Sequence, residues 1–465
     1  MSQSNRATES RAQVPEPEEP KASTGRRFRA LVAKTPRVAP TARETHEYRE
    51  ARDHREAQDH MDRLWTPELF RVLGAAAMWG FAHACFVLLP KYLALELGVG
   101  PREIGRTMGA FGLASVPVAA LAGWLVDRRP PRIALAAGSI LLALSAVGFG
   151  VSDTFGSHIY ALRALQALAN ALVVTAVGVA VVEIAPSSRL SQAIGLTGAT
   201  MLGMNAVAPI VVEPLAATAG WDTIFMISAL VAIGSLAFLV GMRTPRGKPP
   251  HELPAADGVI DDDAGFPFGY ATVSAASGVA FGTVMAFQQP LSLAAGRADV
   301  SGFLSAFAIG ALGLRLFAGS LPDRIGRRRA AAGALAVYAV ATATLGVTPL
   351  ALMNAMGFLL GLSHGLFFPA LNVLMLSRVP TRRRGRTLGV FTGSFHFGVA
   401  ITALLGPVAA TAGYPTVFAL AGAICALGLF ALLGAPETTV SSLGPCSALH
   451  DGRSARDERA SGRKG

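Results

Sequence analysis

Apolar residues in this chain gather into long runs separated by short polar breaks. Six runs cover 68–95, 103–125, 132–151, 157–183, 190–216 and 222–242; after a polar stretch, six more cover 268–294, 300–320, 330–348, 350–376, 386–411 and 415–434. Each meets the roughly 20 residues a helix needs to cross about 30 Å of hydrocarbon. Period-two alternation is absent, which argues against a membrane barrel. Lipid offers backbone groups no partner outside their own segment, so the runs predict helices. The predicted fold is an all-α polytopic membrane protein with twelve transmembrane helices in two pseudo-symmetric six-helix bundles. Several runs exceed the minimum and predict tilt or extension beyond the bilayer.

The pairing of the two bundles rests on repeated sequence. Gly319-Ser-Leu-Pro-Asp323-Arg324-Ile-Gly326-Arg327-Arg328-Arg329 ends the eighth run, and Gly123-Trp-Leu-Val-Asp127-Arg128-Arg129-Pro130-Pro131-Arg132 ends the second (319 − 123 = 196). Pro214-Leu-Ala-Ala-Thr-Ala-Gly-Trp recurs as Pro407-Val-Ala-Ala-Thr-Ala-Gly-Tyr (407 − 214 = 193). A nearly fixed period marks a duplicated architecture. The expected organisation is a cytoplasmic tail over 1–66, a bundle over 67–243, a linker over 244–267, a second bundle over 268–436 and a disordered tail over 437–465. Within the first tail, 44–63 alternates Glu, Arg, Asp and His at helical spacing and predicts a solvated helix laced with ion pairs. No apolar segment typical of a cleavable signal precedes the first run.

Composition supports a membrane setting. Hydrophobic residues make up 52% of the chain and charged residues 15%, where a soluble domain carries about 25% charged. The formal charge of +11 would suit nucleic acid, but the basic residues sit between apolar runs, so no nucleic-acid partner is predicted. Arg128, Arg129 and Arg132, the middle linker, Arg324 with Arg327 to Arg329, and Arg382 to Arg384 all fall on one side, against mainly Arg102, Arg106 and Arg297 on the other. The positive-inside rule then places both termini in the cytoplasm of an inner-membrane protein. Cys85, Cys425 and Cys446 show no metal or disulfide spacing. No metal or cofactor is predicted.

The duplicated Gly-x-x-x-Asp-Arg motif, after the second helix of each half, resembles the signature of the major facilitator superfamily. The second copy matches at Gly319, Asp323, Arg324, Gly326, Arg327 and Arg328; the first keeps Gly123, Asp127 and Arg128 and departs from the pattern at Arg129-Pro130-Pro131. The resemblance implies that these residues latch the halves together on the cytoplasmic side when the cavity faces outward. Leu162-Arg163-Ala-Leu-Gln166-Ala-Leu-Ala-Asn170 resembles the superfamily's arginine motif of the fourth helix, a residue that relatives link to proton transfer. Structural tethering is the alternative. In the fifth run the glycines flanking Pro209 in antiporter relatives are replaced by Ala208, Val212 and Glu213. Around His364 and His396 the chain looks like arabinose-efflux-permease-like exporters.

Charged and polar residues inside apolar runs are the candidate site, because an arginine within a span costs at least about 2.5 kcal/mol and needs a partner or a watery cavity. Arg163, Gln166, Asn170, His83, His364, His396 and Arg315 are assigned to the substrate and proton pathway. Asn170 stands opposite His364 in the repeat (364 − 170 = 194). A histidine titrates near neutrality and can carry a proton, although one inside a span also serves as hydrogen-bonded packing. Trp79, Phe86, Phe287, Gln288, Gln289 and Asn372 are further pocket candidates. Lys91, Glu183 and Glu213 lie near span ends and are expected to reach toward the interface.

These features point to a secondary transporter that binds a small molecule and works by alternating access, with no nucleotide-binding loop for ATP. The leading expectation is proton-coupled efflux by a chain that works as a monomer. Proton-coupled uptake is the alternative, a non-transporting receptor or scaffold the next, and an enzyme is not expected.

Overall fold

The computed structural model describes residues 64–242, 268–318, 321–377, 379 and 384–434, apart from the side chains at 119, 120, 127, 187, 191, 323, 384 and 385. The tail helix over 44–63, the linker, the last tail and Gly319 lie outside the described residues, as do the Asp127 and Asp323 side chains. Where structure is described, it is helical. In chain order the helices are α1 (Pro67–Ala84), α2 (Leu89–Leu95), α3 (Pro101–Arg128), α4 (Pro131–Gly150), α5 (Ser157–Ile184), α6 (Leu190–Ala219), α7 (Trp221–Gly234), α8 (Phe268–Ala294), α9 (Ser301–Phe317), α10 (Leu321–Ile325), α11 (Arg327–Leu345), α12 (Met353–Leu376) and α13 (Arg384–Gly434).

Among the described residues, eight helical segments are long and apolar enough to cross a membrane, and α9 is a shorter apolar helix. The sequence pattern reads twelve. Part of the difference is geometric: α13 bends at Gly413 (φ 80°, ψ 168°) into two arms, which count as one segment. Gly220, between α6 and α7, has φ 82° and ψ 162°. These two glycines occupy equivalent places in the sequence repeat, and this backbone region is open essentially to glycine alone. The repeated Pro-x-Ala-Ala-Thr-Ala-Gly stretch therefore encodes the same sharp turn twice.

Local sequence explains the other breaks. The Thr66 hydroxyl accepts a hydrogen bond from the Leu69 N–H at 3.2 Å, and Pro67 opens α1. Proline also opens α3 and α4, where its missing N–H has no cost. Between α1 and α2 the chain tightens into a 3-10 turn over Cys85–Leu88. Pro90 accounts for it, because the proline ring clashes with the carbonyl four residues earlier and donates no hydrogen bond. The break leaves Phe86 and Val87 facing inward toward the cavity described below.

Among the described residues, helices of the first repeat meet those of the second at one end. There α3 packs against the first arm of α13. A Cβ on Gly109 would come within 2.7 Å of the Ala403 Cβ, and one on Gly112 within 2.5 Å of the Ala400 nitrogen. Small residues let backbones approach this closely. Close by, the Ser305 hydroxyl of α9 donates to the Ala206 carbonyl of α6 at 2.8 Å. Toward the other ends of the same helices, a Cβ on Gly123, Gly195, Gly313, Gly389 or Gly393 would meet no atom of another element within 4 Å among the described residues. Among the described residues, the two repeats thus close over the start of α3 and α9.

Candidate functional site

Between the repeats lies a cavity of about 290 Å³. It takes His83 and Phe86 from the first broken helix, Met108 and Phe111 from α3, Arg163 from α5 and Asn205 from α6. From the second repeat come Phe281 and Met285 of α8, Phe307 and Arg315 of α9, His364 of α12, and Phe395 and His396 of α13. Five sequence candidates, His83, Arg163, Arg315, His364 and His396, therefore meet around one space. Among the described residues no Asp or Glu lines it.

Arg163 is 6% exposed. It donates a short hydrogen bond to the Gln166 side-chain oxygen, and its guanidinium sits 4.8 Å over the Phe111 ring. Its Nε and the Gln166 Nε2 are buried without a hydrogen-bond partner among the described residues. Burying such groups unpaired costs free energy unless a ligand or water satisfies them. His83 stacks on Trp79 with centroids 4.9 Å apart, and its Nδ1 is likewise unpartnered. His364 stands in an aromatic cage, stacked on Phe281 at 5.2 Å and Phe368 at 5.6 Å, with Tyr338 at 5.9 Å. Its Nδ1 and the Tyr338 hydroxyl have no partner either. His396 is different: its Nδ1 lies 2.9 Å from the Thr392 carbonyl, one turn back along its own helix.

Gln166 acts from behind, holding Arg163, and is not itself at the cavity wall. Asn170 is half-buried and lies outside the lining. Of the other pocket candidates only Phe86 lines the cavity. Phe287 is fully buried, Gln288 donates to Ser292 Oγ, and Asn372 donates to the Phe368 carbonyl. In the proposed latch, Arg128 lies 4.5 Å over the Trp124 ring, Gly326 has φ 92°, and Arg328 donates to the Leu432 and Leu433 carbonyls at the end of α13. Arg324 and Arg327 are exposed.

At the closed end the structure revises two sequence expectations. Lys91 and Glu213 do not reach out separately to the interface; they form an ion pair with side chains 12% and 9% exposed. Glu213 also accepts hydrogen bonds from the Val300 and Ser301 N–H groups, the nearest at 2.7 Å. Those are the N-terminal donors of α9 that no side chain of α9 itself caps, so a carboxylate of the first repeat caps a helix of the second. The Lys91 ammonium donates to the Ala298 carbonyl at 2.6 Å, and its backbone N–H donates to the Gln289 side-chain oxygen at 3.1 Å. Gln289 in turn donates to the Val87 carbonyl at 2.7 Å. In the adjoining loop, burial pushes the Asp299 carboxyl up, but hydrogen bonds from the Ser301 hydroxyl and the Gly302 N–H, with Arg297 nearby, hold it below the usual range. Opposite charges at the matching ends of two apolar runs were the only sequence signal for the pair.

Comparison with known proteins follows the same outline. The profile of the Major Facilitator Superfamily matches residues 72–287 and 268–446. An MFS-type transporter of Salmonella typhimurium, itself uncharacterized, is 26% identical over 74% of this chain and 89% of its own length. A second uncharacterized MFS-type transporter, from Escherichia coli K12, is 29% identical over 35% of this chain and 40% of its own. Among solved structures, the nucleoside transporter NupG superposes with a TM-score of 0.65 at 14% identity, covering 79% of this chain and 99% of that one. A peptide transporter, POT, superposes with 0.64 at 14% identity, covering 78% and 93%. With a repeat that closes around a central cavity and a family profile spanning both halves, this chain belongs to the Major Facilitator Superfamily of membrane transporters.

Proposed function

We propose that this transporter is a proton-coupled exporter of small organic molecules, built as twelve spanning helices in two six-helix bundles that rock about the cavity. The observation that carries the reading is the convergence of Arg163, His83, Arg315, His364 and His396, drawn from both repeats, on one space closed at one end; the other end is read as the open one. Access from one side at a time is what alternating access needs. The open end carries Arg128 and Arg324, so the positive-inside rule makes it cytoplasmic and both termini with it. The state described is then inward-facing and ready to load from the cell interior. Histidines beside the arginines supply groups whose protonation can be exchanged for substrate. A single chain contains the whole pathway and functions as a monomer. Uptake by symport uses the same parts with the opposite proton direction.

Purified protein in liposomes, under an imposed pH gradient and with a panel of amphipathic compounds, tests this directly. Compound-dependent proton movement opposite to the compound, lost in Arg163→Ala and His364→Ala, is the expected result. Movement in the same direction would replace export by symport. Compound flux with no proton movement would remove proton coupling.

A further inference from the structure

We infer that the central cavity is built for an organic anion, an apolar or aromatic body bearing a carboxylate or a similar group. This rests on the transport reading above and names the substrate class of the same site. Two guanidinium groups, Arg163 from the first repeat and Arg315 from the second, face one cavity in which no described residue is acidic. Neither arginine forms an ion pair among the described residues. Among the described residues, Arg163 meets the Gln166 side-chain oxygen, a long contact to the Met108 sulfur at 3.8 Å and the Phe111 ring. An amide oxygen and a ring face soften a buried cation without neutralising it. A guanidinium is planar, stays charged and presents a fork of donors matched to a carboxylate, so an unpaired one in an apolar wall is a half-made anion site. The unpartnered Nε of Arg163 is one such donor.

The remainder of the wall fits the remainder of such a molecule. Phe86, Phe281, Phe307 and Phe395, with Met108 and Met285, offer ring faces and adaptable thioethers. A cationic substrate would meet two positive charges and no carboxylate. A neutral one would leave the buried Arg163 guanidinium uncompensated, while Arg315 is exposed. Because the two arginines belong to different repeats, a bound anion is held by positive charge from both walls of the cavity. Anion export also runs with an inside-negative membrane potential, which by itself supports roughly a fiftyfold concentration ratio per 100 mV.

The test is equilibrium binding to the full-length purified protein, separate from any flux. Matched probes of one shape are compared by isothermal titration and thermal shift: 2-naphthoate, 2-naphthamide and 2-naphthylmethylamine, with the benzoate set as a smaller series. The carboxylates should bind at least tenfold more tightly than the amides, and the amines should not compete. Arg163→Gln and Arg315→Gln should each remove that preference while leaving amide binding within about twofold, and Arg163→Lys should retain part of it. Preference for the amine, or equal or undetectable binding of all three, overturns the inference. Flux of the amine or amide without flux of the carboxylate would also overturn it, with the transport reading intact. Carboxylate binding with no flux in liposomes would instead keep the anion site and remove the transport reading.

Discussion

Glu213→Gln offers the sharpest test of the closed end. The substitution keeps side-chain shape and removes the charge that Lys91, Val300 and Ser301 share. Both ionised side chains are about one-tenth exposed, so the pair is little screened, and breaking such a pair from one side costs about 3–5 kcal/mol. Lys91 keeps the Ala298 carbonyl, which places the loss toward the lower figure. The two α9 N–H groups keep a neutral acceptor in place of a charged one, a loss included in the same range. About 3 kcal/mol corresponds to a shift of roughly a hundredfold in the ratio of the open to the closed arrangement at this end. The readout is maleimide labelling of a cysteine at Ser305, which is 3% exposed at the closed end, in a Cys446→Ser background; Cys85 and Cys425 are buried. Labelling should accelerate by one to two orders of magnitude, and Lys91→Met should act in the same direction. The charge swap Lys91→Glu with Glu213→Lys should fail to restore slow labelling, since lysine cannot accept from the Val300 and Ser301 N–H groups. An unchanged labelling rate in Glu213→Gln would refute the idea that this network holds the end shut.

Other expectations follow from the same geometry. Gly109→Leu places a side chain where even a Cβ meets Ala403 at 2.7 Å, so the α3–α13 contact should fail to form; labelling at Ser305 should rise and transport should be lost. Gly220→Ala and Gly413→Ala should each cost about 1–3 kcal/mol from backbone strain and lower the melting midpoint in detergent. Gly195→Ala, at a helical site with clear space, should not lower it. His364→Phe preserves an aromatic ring among Phe281, Phe368 and Tyr338 and removes the titratable group. Retained substrate binding with proton movement abolished would match a proton-carrying role, and normal coupling in that variant would reduce His364 to packing.

The amino-acid pattern alone is enough to read the chain as a duplicated bundle of membrane helices. Hydrocarbon thickness sets the length of each run, and an arginine or histidine inside such a run stands out against its neighbours, which is why Arg163, Arg315, His83, His364 and His396 could be named before any helix was placed. It also marked the turns at Gly220 and Gly413 through the repeated stretch around them. Which helix faces meet is set by packing and is not legible in the pattern. Apolar residues that face lipid, such as Leu404 at 71% exposure, and those that face the core, such as Phe287 at 0%, have the same composition, so the pattern along one helix cannot tell its neighbours apart. Asn170 shows the limit: its place in the repeat matches His364, yet it lies outside the cavity lining. Lys91 and Glu213 show the converse, two charges 122 residues apart whose pairing depends on the two repeats folding against one another. The cavity's sign, positive with no described acidic counterpart, is likewise a property of the assembled walls, because no single helix carries both arginines.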